Sequence, residues 1–165
     1  MAYSTISKPS LYFNTKLYTG NGGTQSITGV NFESDLTWIK SRSSGAWHNL
    51  FDAVRGATKR LQVNSDGAES TETNSLTSFD SNGFTVGSSG DVNGSGNSTV
   101  AWNWKAGTTS GITQGSATIT PSSYSINATS GFSIIKWTGT NANATIPHGL
   151  GVAPKMIIVK RLNTT

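Results

Sequence analysis

Apolar residues along this chain come in short bursts separated by Gly, Asn, Ser and Thr, the spacing of strands joined by turns. Residues 12–19 (YFNTKLYT) are aromatic and β-compatible and end at the turn signal Gly20-Asn21-Gly22-Gly23, which predicts a strand. Residues 25–28 form a short apolar-centred stretch. Residues 36–41 predict a strand with Leu36, Trp38 and Lys40 on one face and Thr37, Ile39 and Ser41 on the other. Residues 46–54 (AWHNLFDAV) fit a strand or a short helix equally well. A strand over 59–63 leads into a polar surface loop over 64–74. Residues 76–79 and 83–86, joined by Asp80-Ser81-Asn82-Gly83, read as a hairpin. After a low-complexity loop over 87–98 comes a strand whose Val100, Trp102 and Trp104 share one face. Further short strands are predicted over 117–120, 124–127 and 132–137. With no convincing amphipathic helix, the expectation is an all-β fold. It would be an antiparallel β-sandwich of jelly-roll or concanavalin-like type with long Gly/Ser/Asn loops.

The pattern recurs. Lys16-Leu17-Tyr18-Thr19-Gly20-Asn21 is answered by Ile135-Lys136-Trp137-Thr138-Gly139-Thr140 at an offset of 119 residues. Ser26-Ile27-Thr28-Gly29-Val30 is answered by Thr145-Ile146-Pro147-His148-Gly149-Leu150. Asp35-Leu36-Thr37-Trp38-Ile39-Lys40 is answered by Lys155-Met156-Ile157-Ile158-Val159-Lys160 at an offset of 120 residues. Each set reads strand, Gly/Asn turn, short strand, Gly-containing turn, apolar strand ending in Lys. The organisation expected is an N-terminal extension (1–11), a sandwich unit (12–130) and the start of a second, truncated unit (131–165) that either completes the first domain or forms a separate hairpin. A second unit of equal length would need about 85 further residues, so the pattern predicts a fragment of a repeat protein.

Composition explains how such a chain holds together without many apolar residues. Ser, Thr, Gly and Asn number 24, 23, 19 and 14 among 165 residues. These are poor helix formers and good turn and strand material. Fifteen aromatics and a low charge argue for a packed core rather than disorder. The formal charge of +4 divides unevenly: residues 61–104 hold no Lys or Arg but five acids. Elsewhere basic residues are scattered, and Lys59-Arg60 and Lys160-Arg161 are too short for a nucleic-acid patch. No nucleic-acid partner is expected. No apolar run is long enough to span a membrane as a helix, and no membrane insertion is expected.

Candidate chemistry is sparse. With no cysteine, thiol catalysis and thiolate metal sites are excluded. The sequence holds no Gly-x-Ser-x-Gly elbow and no His-Glu-x-x-His motif. His48 reads as a core or strand-edge residue and His148 as a turn residue. Asp35 and Asp52 are the acids that flank aromatic strands, but nothing in the spacing pairs them for glycoside hydrolysis. Asp91-Val92-Asn93-Gly94-Ser95-Gly96 begins like a calcium loop, yet Trp102 stands where the twelfth-position Glu belongs. A Gly/Asn turn is the plainer reading. The expectation is therefore a protein that is not an enzyme and has no metal or cofactor. Trp38 and one of Trp102 or Trp104 are assigned to the core, whereas Trp47, between Gly45 and His48, is the candidate exposed aromatic. Trp47 and His48 are the candidate ligand-binding residues.

Several stretches together resemble a repeated domain of uncharacterised proteins from tailed, largely marine bacteriophages. They are Leu17-Tyr18-Thr19-Gly20-Asn21-Gly22, Trp38-Ile39-Lys40, Leu50-Phe51-Asp52-Ala53-Val54-Arg55-Gly56-Ala57, the run over 76–84, Val100-Ala101-Trp102-Asn103-Trp104-Lys105-Ala106-Gly107 and the run over 147–157. The resemblance covers nearly the whole chain. It implies a virion structural protein, a tail-fibre or appendage component with a host-surface adhesion role, assembled in the host cytoplasm. Implied partners are other virion proteins, a host-surface glycan and further copies of the chain, a homotrimer by analogy. The residues leave a carbohydrate-binding module as the alternative, with a glycan depolymerase behind it.

Overall fold

A computed structural model describes residues 6–163. A 3₁₀ turn, Pro9–Leu11, precedes the first strand; the rest of the expected N-terminal extension, residues 1–5, lies outside the described residues. The strands are β1 (Phe13–Thr19), β2 (Gln25–Thr28), β3 (Leu36–Ser41), β4 (Asn49–Asp52), β5 (Gly56–Gln62) and β6 (Ser70–Thr71). After them come β7 (Leu76–Asp80), β8 (Gly83–Val86), a single helical turn α1 (Gly90–Asn93), β9 (Ser98–Trp104), β10 (Ser123–Asn127) and β11 (Phe132–Lys136). Every strand pairing is antiparallel.

Two sheets form the sandwich. A six-stranded sheet runs in the order β1-β9-β3-β4-β5-β6, and a three-stranded sheet runs β2-β8-β7. The core lies between them: Ile39, Phe51 and Ala101 from the first sheet meet Ile27, Leu76, Phe84 and Val86 from the second. Val30, Phe32 and Val92, on the connections, close its edges. β10 and β11 form a separate hairpin, tied back where Thr108 and Ile126 exchange backbone hydrogen bonds.

The hairpin of β7 and β8 forms where Asp80-Ser81-Asn82-Gly83 predicts it. Asp80 accepts bonds from the hydroxyls of Ser78 (2.8 Å) and Thr85 (2.7 Å), which fixes the turn. Gly83 is required there: its φ is 151°, and a Cβ would stand 1.9 Å from the Ile27 carbonyl oxygen on the adjacent strand. Residues 46–54, which fitted strand or helix equally, contain β4 as a strand.

Two expectations need correction. Trp38 and one of Trp102 or Trp104 were expected inside, but the sandwich buries the opposite face of β3 and β9. Thr37, Ile39, Ser41, Thr99, Ala101 and Asn103 are buried, and the three indoles are only partly so. Sheets pack about 10 Å apart, and Phe32, Phe51 and Phe84 already fill that space; the smaller set fits beneath them. Asn103 holds polar atoms of this set together, while the buried Thr99 hydroxyl has no hydrogen-bond partner among the described residues. Asn103 Oδ1 accepts from Ser34 (3.2 Å) and Thr37 (3.1 Å), while its Nδ2 donates to the carbonyls of Asn14 and Ala101.

Secondly, residues 117–120 form a bend and irregular backbone rather than a strand. Their backbone partner is Thr145, bonded through the amides of Thr118 and Ile119, so no ladder develops. The loop over 87–98 forms where expected and is tied to the sandwich by backbone bonds to Gly20, Asn74 and Ser75. It holds α1, and Asn93 is wholly buried with its Nδ2 donating to Gly23 O (2.6 Å), Gly87 O (2.9 Å) and Asn21 Oδ1 (3.0 Å). Asn93 Oδ1 accepts from the Asn21 amide. A low-complexity stretch thus fastens the β1–β2 turn to the sandwich edge.

Candidate functional site

The outer face of the six-stranded sheet collects the aromatic side chains that the core leaves out. Strand register places Thr15, Trp102, Trp38 and Leu50 in one row across four strands. Phe13, Trp104 and Leu36 form the next row, and Leu17, Val100 and Lys40 the row on the other side. Trp38 and Trp102 meet edge to face, with ring centroids 6.0 Å apart at 72°. Trp104 sits between Phe13 (4.9 Å) and Phe132 of β11, whose ring lies 6.1 Å away and within 23° of parallel. The β10–β11 hairpin therefore covers one end of the face and leaves the Trp38 end open.

At the open end stand Trp47 and His48, immediately before β4. Trp47 is 46% exposed, and its carbonyl accepts the Asn49 side-chain amide at 2.9 Å. The Trp38 indole N–H donates to His48 Nδ1 at 3.2 Å. His48 is held further by its own amide, bonded to Asn64 Oδ1 (3.0 Å), and by its carbonyl, which accepts from Val63 N. The structure thus joins His48 to Trp38 and through it to Trp102. Sequence reading did not find the Trp38–His48 bond. The β3–β4 register that creates it was open while residues 46–54 fitted either strand or helix.

The two acids considered for hydrolysis come to the same end of the sheet, since Asp52 is the register partner of Leu36, next to Asp35. Both carboxylates are committed elsewhere. Asp35 accepts from the Ala106 amide (2.8 Å) and the Ser125 hydroxyl (2.6 Å), joining the end of β9 to β10. Asp52 is buried against Arg55, with a 2.6 Å ion pair to Nε and a 2.9 Å bond from the Arg55 amide. A shallow cleft beside Asp35, lined by Ala53, Val54, Thr109, Ser122 and Tyr124, brings no histidine or second free carboxylate to it.

The uneven charge of the sequence resolves into short-range pairs. Arg55 reaches Glu69 (3.1 Å), and Arg60 reaches Glu72 (3.0 Å) and Asp91 (3.1 Å). Three of the five acids in the Lys/Arg-free stretch are thereby paired to two arginines just before it. Asp91 and Asn93, the head of the calcium-like run, are engaged with Arg60 and Asn21. Among the described residues no group of three or more His, Asp or Glu side chains is placed to hold a metal ion. His148 lies in a turn, where its Nδ1 accepts the Leu150 amide at 3.2 Å. One pKa departs clearly: burial raises the Tyr18 hydroxyl far above its ordinary value, while it donates to the Val92 carbonyl.

No curated protein and no solved structure matches the chain. One family model does, over residues 8–165, which takes in both sheets, the β10–β11 hairpin and the C-terminal segment; the chain belongs to DUF7483, a domain of unknown function.

Proposed function

We propose that this chain is a non-enzymatic structural module of a phage particle, a concanavalin-like sandwich in a tail fibre or similar appendage. It would use the outer face of its six-stranded sheet for host-surface recognition. The observation that carries the recognition reading is the open aromatic surface of Trp38, Trp102, Trp47 and His48. Indole faces beside neutral hydrogen-bonding groups suit sugar rings, which present C–H faces and hydroxyls together. The particle assignment rests on the sequence resemblance. A cysteine-free, low-charge β domain suits exposure outside a cell, and other virion proteins would be its partners.

Mass spectrometry of purified particles tests the assignment: the protein is expected among the structural components. Its presence only in infected-cell cytoplasm would overturn the reading. Glycan-array binding tests the recognition surface. Trp47→Ala is expected to abolish a glycan signal that Trp104→Ala, at the end covered by the β10–β11 hairpin, retains, and absence of any signal in the native protein removes the adhesion role. Trp47, the most exposed of the indoles, also favours a second reading, a free carbohydrate-binding module. Glycan binding by a protein missing from particles would select it.

A further inference from the structure

Four strands end the two sheets of the sandwich, and β1 is the longest of them. In the six-stranded sheet β6 is two residues, Ser70–Thr71, and the Glu69 amide beside it donates to the Leu162 carbonyl at 2.9 Å. In the three-stranded sheet β2 has four residues and β7 five. β1, at the other end of the six-stranded sheet, runs seven residues from Phe13 to Thr19. An edge of that length offers a row of backbone donors and acceptors to any extended chain, a second copy of this protein first of all.

The register fixes which groups face outward. The Lys105 amide donates to the Tyr12 carbonyl (2.8 Å) and the Gly20 amide to the Asn97 carbonyl (2.9 Å). The even-numbered residues of β1 therefore bond to β9, and the amides and carbonyls of Phe13, Thr15, Leu17 and Thr19 point away from the sheet. Two of these outward groups are already taken by side chains of the same chain. Asn14 Oδ1 accepts the Thr15 amide at 2.9 Å, and Gln25 Nε2 donates to the Thr19 carbonyl at 3.2 Å. An added antiparallel strand exchanges two bonds at each outward residue, so Leu17 is left between two sites that can make only one. Asn14 is held in that posture from its other end, where Nδ2 donates to the Val30 carbonyl at 3.0 Å. Gln25 Oε1 is buried with no partner among the described residues, so the bond to Thr19 is the one its side-chain amide makes.

Charge guards the same edge. Lys16 alternates with Phe13, Thr15 and Leu17 and belongs to the opposite, inward set with Asn14 and Tyr18. Its Nζ lies against Gly29, where an added Cβ would stand 3.0 Å from it. An antiparallel pairing of all seven residues with β1 of a second copy is centred on Lys16. It sets the two lysines directly opposite, and like charges so placed destabilise a pair; β1 carries no acid to offset them.

We infer that Asn14, Lys16 and Gln25 close the β1 edge to strand addition, and that further copies of this chain meet it through another surface. Leu17, 62% exposed, marks the place where an unguarded edge would pair.

Sedimentation velocity and amide hydrogen exchange of the full chain, followed as protein concentration rises, test the inference. In the native chain the Leu17 amide is expected to exchange at one rate throughout. The triple variant Asn14→Ala/Lys16→Val/Gln25→Val should associate with rising concentration, and exchange at Leu17 should slow about tenfold. Lys16→Val alone keeps both hydrogen bonds and should show the same change to a smaller degree, which decides the matter if the triple variant does not fold. Ile39→Val, which weakens the core and leaves the edge intact, should not protect Leu17. The inference is overturned if Leu17 of the native chain becomes protected as concentration rises, if neither edge variant protects it, or if Ile39→Val protects it equally.

Discussion

Ile39 and Val159 lie in matching stretches, each the last apolar residue before a lysine, yet Ile39 is sealed and Val159 stands 66% exposed. Around Ile39 two neighbouring strands complete the backbone ladder, and the three-stranded sheet covers the side chain. Residues 155–160 have neither. They are anchored at their end by Lys160, which donates to the Ser65 carbonyl at 2.6 Å, and by Leu162, whose carbonyl accepts the Glu69 amide. Local sequence therefore sets the apolar, strand-like pattern of both stretches, and burial follows only when neighbours arrive from elsewhere in the chain. That is expected of strands, whose hydrogen bonds are all made to other segments.

The sharpest way to break the comparison is to delete an apolar side chain in each region. Phe51→Ala, at a fully buried position, should cost about 3–5 kcal/mol in urea unfolding. Val159→Ala should stay within about 0.5 kcal/mol. Equal effects would mean that the C-terminal run is covered in solution. Next in size, Asn103→Ala strips partners from two buried hydroxyls and should cost about 2–3 kcal/mol; a neutral result would show that the polar layer does not hold β3 and β9 in place. Gly83→Ala forces a Cβ against the Ile27 carbonyl and should cost about 1–3 kcal/mol, read as a lower thermal midpoint. The smallest effect belongs to pH. The Tyr18 pKa is raised in the folded state, so its contribution is complete below the unfolded value of about 10. It is lost as pH rises above that value toward the folded one. Unfolding midpoints should fall above pH 10 in the native chain, with a shallower fall in Tyr18→Phe.

Much of this fold is legible because its punctuation is strong. The hairpin turn at Ser81-Asn82, the stop after Thr19 and the strand at β9 follow from residues that tolerate few alternatives. Faces were harder. In β3 and β9 both alternating sets are plausible as core, since Trp is the more apolar choice and Thr, Asn and Ser appear misplaced indoors. The hydroxyls of Ser34 and Thr37 both donate to Asn103 Oδ1 and make Asn103 acceptable inside, and these partners lie 69 and 66 residues away in sequence. The candidate site shows the same limit. Trp47 reads as exposed from its flanking Gly45 and His48, whereas the link from His48 to Trp38 exists only through the β3–β4 register.

By itself the sequence determined an all-β chain, the places of most of its strands and turns, and the recurrence of one strand-and-turn pattern. Those are local properties, set by side-chain branching, glycine and asparagine backbone freedom and the period of alternation. Tertiary structure alone decided which face of each strand went inside, which acids lost their freedom to arginine and backbone amides, and which copy of the pattern found a core. Each of these depends on what another part of the chain brings into contact, and a strand carries no record of its neighbour.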